Sequence, residues 1–276
     1  MKSADDAISL DGACSNCRVW GNKITDSMVA FSMAPINEGP TYIVRNYAYN
    51  LKGSRSDAGY KGLAIKLNSG YSEKGKMLVY HNTFDLRADG TIGLNILSPG
   101  VWNMVTLRNN IFWAADNNYA ISNENTASPM DMDYDLYYTT KSDYIAKWGV
   151  SYATLATFAS GTNQEPHGYF AMPVFNDRDG GDYRLTSAST PQIDKGILIS
   201  GFNDDYRGSA PDLGYFEYDD STPLTPLSSG PLTPLTSTGS PASNSPSSTN
   251  VTSPSSDLIV TWKVIMFGAF VLWLAC

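Results

Sequence analysis

Basic residues are scarce in this sequence. Lys and Arg number 19 against 27 Asp and Glu among 276 residues, a formal net charge of −8. A phosphate backbone is held by a basic face, so nucleic acid is excluded as a partner. Cysteine is nearly absent: Cys14 and Cys17 lie close together and Cys276 ends the chain. A zinc ribbon needs a second such pair, and none exists. The Cys14–Cys17 spacing reads as a local disulfide or two small buried residues, because no βαβ pattern surrounds it to suggest a redox motif. Sustained helical periodicity is missing before Ser142, and short alternating strands bounded by Gly, Asn and Pro take its place. Residues 1–20 lack a basic start followed by an apolar run. An exported protein needs such a signal, so the expectation is an N-terminally truncated chain.

Charge is missing again after residue 220, where only Asp257 and Lys263 carry it. The segment 219–257 is almost wholly Ser, Thr, Pro and small residues. Such a composition cannot bury a core, and it reads as an extended stalk suited to O-glycosylation. Asn250-Val251-Thr252 is an N-glycosylation sequon. Residues 258–276 are apolar except for Thr261 and Lys263, and no basic flank follows Cys276. Small residues, a polar spacer and a terminal apolar tail fit a GPI-attachment signal, with a single C-terminal span as the alternative. Either one expects an extracellular, cell-surface domain with the membrane as a partner.

What is present is a repeat. A strand frame of apolar, small, apolar, variable, apolar appears in Val29-Ala30-Phe31-Ser32-Met33, Leu63-Ala64-Ile65-Lys66-Leu67 and Ile92-Gly93-Leu94-Asn95-Ile96. Asp6–Leu10 fits the same frame and Tyr119–Asn123 is a frayed copy. A second signature, Asn two residues before an apolar one, starts at Asn22, Asn46, Asn82 and Asn110, with Asp135 as a variant fifth. The steps are 24, 36, 28 and 25 residues. Two motifs in register at one elastic period predict a solenoid, whose short strands bury their apolar side by stacking on neighbours. In a parallel β-helix, Ile8, Phe31, Ile65, Leu94 and Ile121 would form an inward column, and the Asn series would line one corner. Residues 1–140 are assigned to these coils. Residues 141–218 are assigned to a lateral or capping segment, with Tyr144, Trp148, Leu155 and Phe158 on one or two short helices.

Coils such as "VYHNTF" and "TLRNNIF", with the closing stretches "DYRLTSASTPQIDKG" and "SAPDLGYFEY", resemble right-handed parallel β-helix repeats of the pectate-lyase-like superfamily. The resemblance covers residues 4–218 and implies an all-β, right-handed parallel β-helix with a small C-terminal capping segment. It speaks weakly to chemistry, since the fold hosts lyases, hydrolases, epimerases and non-enzymatic spikes.

On the first sheet, strict alternation would turn two rows outward: Ser9, Ser32, Lys66, Asn95 and Ser122, then Asp11, Ala34, Asn68, Leu97 and Glu124. With the small column beside them they would line a shallow polar groove for a sugar chain. Asp5-Asp6 is similar to the paired aspartates of β-helix polygalacturonases. However, "VAFSMAP" stands where that family has Gly-His-Gly, and "AIKL" is only an echo of its Arg-Ile-Lys. Eliminative cleavage of a uronate chain fits better. It needs a Lys or Arg base and a cation, calcium being the metal that would serve, to neutralise the substrate carboxylate. Lys66, the one cation of the row, and Asp11 are the catalytic candidates. Ser32, Asn68, Asn95 and Lys61 are the substrate-binding candidates. Lys52, Arg55 and Lys61 make the loop before Lys66 basic. Arg45 and His81 precede the Asn series and are placed on the second sheet, while His167 reads as structural. The acidic residues from Asp177 to Glu217 read mostly as turn formers. The expected function is polysaccharide binding or lyase-type processing, with a non-catalytic adhesion or cell-wall module as the alternative.

Overall fold

The computed structural model of the chain describes residues 5–52, 62–67, 75–87, 91–96, 102–114, 119–123, 130–140 and 145–220. Five coils contribute three strands each. The first holds β1 (Asp6–Ser9), β2 (Cys17–Trp20) and β3 (Lys23–Thr25). The second holds β4 (Val29–Ser32), β5 (Thr41–Val44) and β6 (Tyr47–Tyr49). The third holds β7 (Leu63–Leu67), β8 (Met77–Tyr80) and β9 (Thr83–Leu86). The fourth holds β10 (Ile92–Ile96), β11 (Val105–Arg108) and β12 (Ile111–Ala114). The fifth holds β13 (Ile121–Asn123), β14 (Asp131–Asp133) and β15 (Leu136–Tyr138). Like strands of successive coils pair in parallel, giving three sheets whose strands follow the coil order. The chain is a parallel β-helix. Cys14 and Cys17 form a disulfide in its first coil.

The far end is closed by three short strands and a helix. β16 (Ala146–Trp148) extends the first sheet and turns back antiparallel into β17 (Val150–Tyr152). The helix α1 (Leu155–Thr162) follows, with Thr154 and Thr157 exchanging side-chain and backbone bonds as a capping box. β18 (Tyr169–Phe170) extends the third sheet. Leu155 and Phe158 join the main core, and Trp148 packs edge-on against Phe158 at 5.9 Å. The expectation of helix at Trp148 is corrected: pairing with β13 supplies backbone partners that a short isolated helix would lack. Tyr144 lies outside the described residues.

The inward column is as expected. Ile8, Phe31, Ile65, Leu94 and Ile121 are partners in register, and the last four are buried. The small column is a correction. Ala30, Ala64 and Ala120 belong to the main core, whereas Val29, Leu63 and Ile92 form a separate cluster with Met28. A Cβ on Gly93 would sit 2.8 Å from the core ring of Phe112 and 2.3 Å from the carbonyl oxygen of Ala120. Alternation therefore breaks between the second and third frame positions, and both face inward. The small residues leave room for the third sheet's large inner column, where Phe84, Phe112 and Tyr137 stack at 5.1 and 5.4 Å.

At the corner between the second and third sheets runs a continuous polar ladder. Asn46 Oδ1 accepts from Asn22 N and Nδ2, both at 2.9 Å. Asn82 repeats this beneath Asn46 at 3.0 Å, and Asn110 repeats it beneath Asn82 at 2.9 Å. Each of Asn46, Asn82 and Asn110 also donates to a carbonyl of the preceding coil, those of Val19, Ile43 and Val79. The residue before each rung has positive φ: Gly21, Arg45, His81, Asn109 and Tyr134, between 49° and 71°. That left-handed residue turns the chain through the corner, and the Asn amide satisfies the backbone groups the turn frees.

The ladder ends on acids. Asp135 Oδ1 accepts from Asn110 N and Nδ2 at 2.6 and 2.9 Å. Beneath it, Glu165 accepts from Asp135 N at 3.2 Å and from the Tyr137 hydroxyl at 2.7 Å. Asp135 Oδ2 stands where the other rungs carry an amide donor, and it has no donor partner. Burial raises both carboxyls above the ordinary range, and the Asp135 charge raises Glu165 further.

Two outcomes are expected. Asn82→Ala strands several buried groups and lowers unfolding free energy by about 3–5 kcal/mol, against about 1 kcal/mol for Asn22→Ala at the half-exposed rung, in urea titrations. The acid pair has folded-state affinities for protons above those of the unfolded chain. Its stabilisation is therefore complete below the ordinary carboxyl range and is lost as pH rises through the raised values. Asp135→Asn restores a donor without a proton. It should stabilise by about 1–2 kcal/mol at pH 8, with the gap closing towards pH 4.

Candidate functional site

The outward row of the first sheet is in register as read: Ser9, Ser32, Lys66, Asn95 and Ser122, continued by Lys147. It is not an open groove. Ser32, Asn95 and Ser122 are buried, and the small column expected beside them lies in the core. Lys66 reaches across β4 to the first coil, where its Nζ donates to both oxygens of Asp6 at 2.9 and 2.8 Å. Both side chains of that ion pair are mostly covered, at 21% and 13% exposure. Asp11 turns back along the row and accepts from Ser32 Oγ at 2.9 and 3.1 Å and from Ala34 N at 2.6 Å. Lys66, Ser32, Asp6 and Asp11 are thus brought together, but as two mutually satisfied pairs. Asn68, Lys61 and Arg55 lie outside the described residues. Lys52 is within 4.0 Å of Asp26.

Arg45 and His81 stand at the corner, not within the second sheet, because each is the left-handed residue of its coil. Part of the closing segment, from Ile197 to Glu217, contacts this corner. His81 Nε2 accepts from Asn109 Nδ2 at 3.0 Å and Asn203 Nδ2 at 2.8 Å. Two donors at one nitrogen assign the proton to Nδ1. That atom has no partner of full hydrogen-bond geometry, although the backbone of Gly214 and Asp212 lies near enough to favour a proton there. Burial, then the Arg45 charge, lowers the His81 pKa to about 3, so the ring is neutral. Asn109 holds Ile197 through both its amide atoms at 2.8 Å, and Arg45 reaches the Tyr215 carbonyl at 3.3 Å and Glu217 at 3.8 Å. Burial, then the Asp212 charge, raises Glu217 to about 7.

A second pin lies one coil face away. Asp85 is fully buried on the outer side of β9 and accepts from Arg87 (2.6 Å), Arg178 (2.7 and 2.9 Å) and the Tyr183 hydroxyl (2.6 Å). Arg178 also lies 3.5 Å from the centre of the Trp113 ring. Asp85 was not among the expected site residues. Its one sequence signal is a charge in the outward slot of "NTFDL", where buried charge is costly unless paired.

His167 donates its backbone N–H to Asp133 at 2.7 Å, its Nδ1 lies 2.8 Å from the same carboxylate, and its ring stacks on Tyr134 at 4.9 Å. This fits the structural reading. The acids of the closing segment serve turns: Asp177 accepts from Gly180 N, Asp194 from Ser209 N and Ala210 N, Asp204 from Gly201 N, and Asp212 from Tyr218 N. Among the described residues no group of three or more His, Cys, Asp or Glu could hold a metal ion.

No family model, curated protein or solved structure matches the chain. The superfamily resemblance rests on the coil pattern, and the parallel β-helix itself is what the three stacked sheets support.

Asp85→Asn should lower stability by about 3–5 kcal/mol, because it leaves two guanidinium groups facing a neutral amide. Limited proteolysis should then cut within residues 176–184 before the coils are attacked.

Proposed function

We propose that this chain is a non-catalytic polysaccharide-binding module of the cell surface, carried on its Ser/Thr/Pro stalk and held to the membrane by its apolar C-terminus. The observation that carries the choice against lyase chemistry is the state of Lys66. An eliminating base needs a free lone pair aimed at substrate. The Lys66 ammonium instead donates to both oxygens of Asp6, and its neighbours Ser32 and Asn95 are buried. Support for a sugar partner comes from the superfamily resemblance and from the rigid, regularly spaced surface that stacked coils provide, about 4.8 Å per coil. The stalk and tail lie outside the described residues, and their role rests on composition.

The test is affinity electrophoresis of residues 1–220 in gels containing pectate, alginate or a glycosaminoglycan, beside an absorbance assay for the unsaturated product of elimination. Retarded migration without product is expected. Product that disappears in Lys66→Ala would restore the lyase reading, and unretarded migration in every gel would end the binding one. For the anchor, phospholipase treatment of expressing cells should release the protein. Purification with residues 258–276 intact would mean an ordinary span.

A further inference from the structure

We propose that residues 197–217 form a strap whose opening passes a proton from Glu217 to His81, so that the strap is held shut with the same strength across mildly acidic pH. This does not depend on the saccharide reading. Ile199 and Phe202 of the strap pack on Val44, Leu78 and Tyr80, so opening would bare an apolar face of the second sheet. The strap is tied to the corner by Asn109, which takes Ile197 N on its side-chain oxygen at 2.8 Å and Gly214 N on its backbone carbonyl at 2.7 Å.

The strap covers two titratable groups, and the charged form of each is disfavoured there. His81 is fully buried, and its Nε2 faces Nδ2 of both Asn109 and Asn203. Neither amide can turn over, because the Asn109 oxygen holds Ile197 N and the Asn203 oxygen holds Ile199 N at 2.7 Å. A second proton on the ring would therefore point at two N–H groups. Glu217 is covered to 17% exposure, and Asp212 N donates to both its oxygens at 3.3 and 3.4 Å. The Asp212 carboxyl is itself buried. These two covered carboxyls share the charge of Arg45, which stands 3.8 Å from Glu217 and also donates to the Tyr215 carbonyl. The Arg207 side chain is turned to Asp219, and that of Arg108, whose carbonyl accepts from His81 N, to Asp131. Lys195 lies near Asp194.

Opening moves the two protons in opposite directions. With the strap shut, burial and then Asp212 keep Glu217 protonated up to about pH 7; with it open, the ordinary value of 4.5 returns. Between those values opening releases a proton from Glu217. With the strap shut, burial and then Arg45 hold His81 at about 3; with it open, the ordinary value of 6.5 returns. Below that value opening adds a proton to His81. Glu217 alone would hold the strap tightest in acid and loosen it as pH rises towards 7. His81 alone would hold it tightest above 6.5 and loosen it as pH falls. Where the ranges overlap, the carboxyl loses a proton, the imidazole gains one, and none is exchanged with solvent. Asp212 is raised and works in the Glu217 direction. Asp194 is lowered, chiefly by its bonds from Ala210 and Ser209, and its contribution is complete above its ordinary value of 3.8.

The test is hydrogen exchange of the Ile197 and Gly214 amides in the full chain in detergent, divided by the intrinsic rate at each pH. The Asn46 and Asn82 amides of the ladder report global opening. Strap opening in the parent should change by less than about threefold between pH 5 and 6.5. Glu217→Gln leaves His81 uncompensated, and opening should rise about tenfold as pH falls across that span. His81→Gln keeps an acceptor in place of Nε2, and opening should fall about tenfold over the same change. The double variant should be flat again. Slopes of the same sign in the two single variants, or a Glu217→Gln profile as flat as the parent's, would overturn the proposal. So would strap amides that exchange no faster than those of Asn46 and Asn82, since the strap would then not open by itself. If His81→Gln does not fold, the His81 ring resonances of the parent decide: a neutral ring down to pH 5 is expected, and a proton gained in the closed state between pH 6.5 and 5 overturns the proposal.

Discussion

Everything in this structure hangs from a line of buried amides. A parallel coil must turn a corner at each sheet, and each corner frees backbone groups that water cannot reach. At one corner the Asn side chain serves two purposes. Its oxygen takes the backbone and side-chain donors of the preceding coil, and its amide reaches that coil's carbonyl and the next rung. The bonds run along the solenoid axis, so each coil is fixed to its neighbours at the same point. The variation in coil length, from 24 to 36 residues between rungs, is then absorbed elsewhere in the coil without disturbing register.

The line has to stop, and the way it stops is informative. A further Asn would call for another rung below, whereas Asp135 takes the two donors of Asn110 and Glu165 takes the Asp135 amide and the Tyr137 hydroxyl, which closes the series. The hairpin of β16 and β17 and the helix α1 cover the apolar side of the same end. Polar and apolar termination therefore coincide, as a solenoid needs where neighbours run out.

The same corner positions the surface. Its left-handed residues point away from the core, and the closing segment docks on them through His81, Asn109 and Arg45. That docking carries Phe202 onto the second sheet beside Trp20 and Tyr42. Meanwhile the first sheet's polar row spends its charges internally, Lys66 on Asp6 and Asp11 on Ser32. The face with the most conspicuous chemistry in the sequence thus has its described charges paired internally. The outer face of the second sheet is assembled from residues about 180 positions apart in the chain.

The division between sequence and structure follows from the range of the interactions. Period, coil register, inward column and Asn corner were legible because each repeats locally, and a repeated local pattern can fold only by stacking on itself. The variable outward row was legible for the same reason. Which way the small residues face was not: a break in alternation at one frame position carries Ala30, Ala64 and Gly93 inward, and only the Phe84–Phe112–Tyr137 stack explains their size. Nor were the pairings Lys66–Asp6 and Asp85–Arg178, or the juxtaposition of Trp20 with Phe202. These link residues 60, 93 and 182 positions apart. Such contacts exist only once the coils are stacked and the closing segment is laid against them, because no local rule specifies which distant side chain will meet a given outward one.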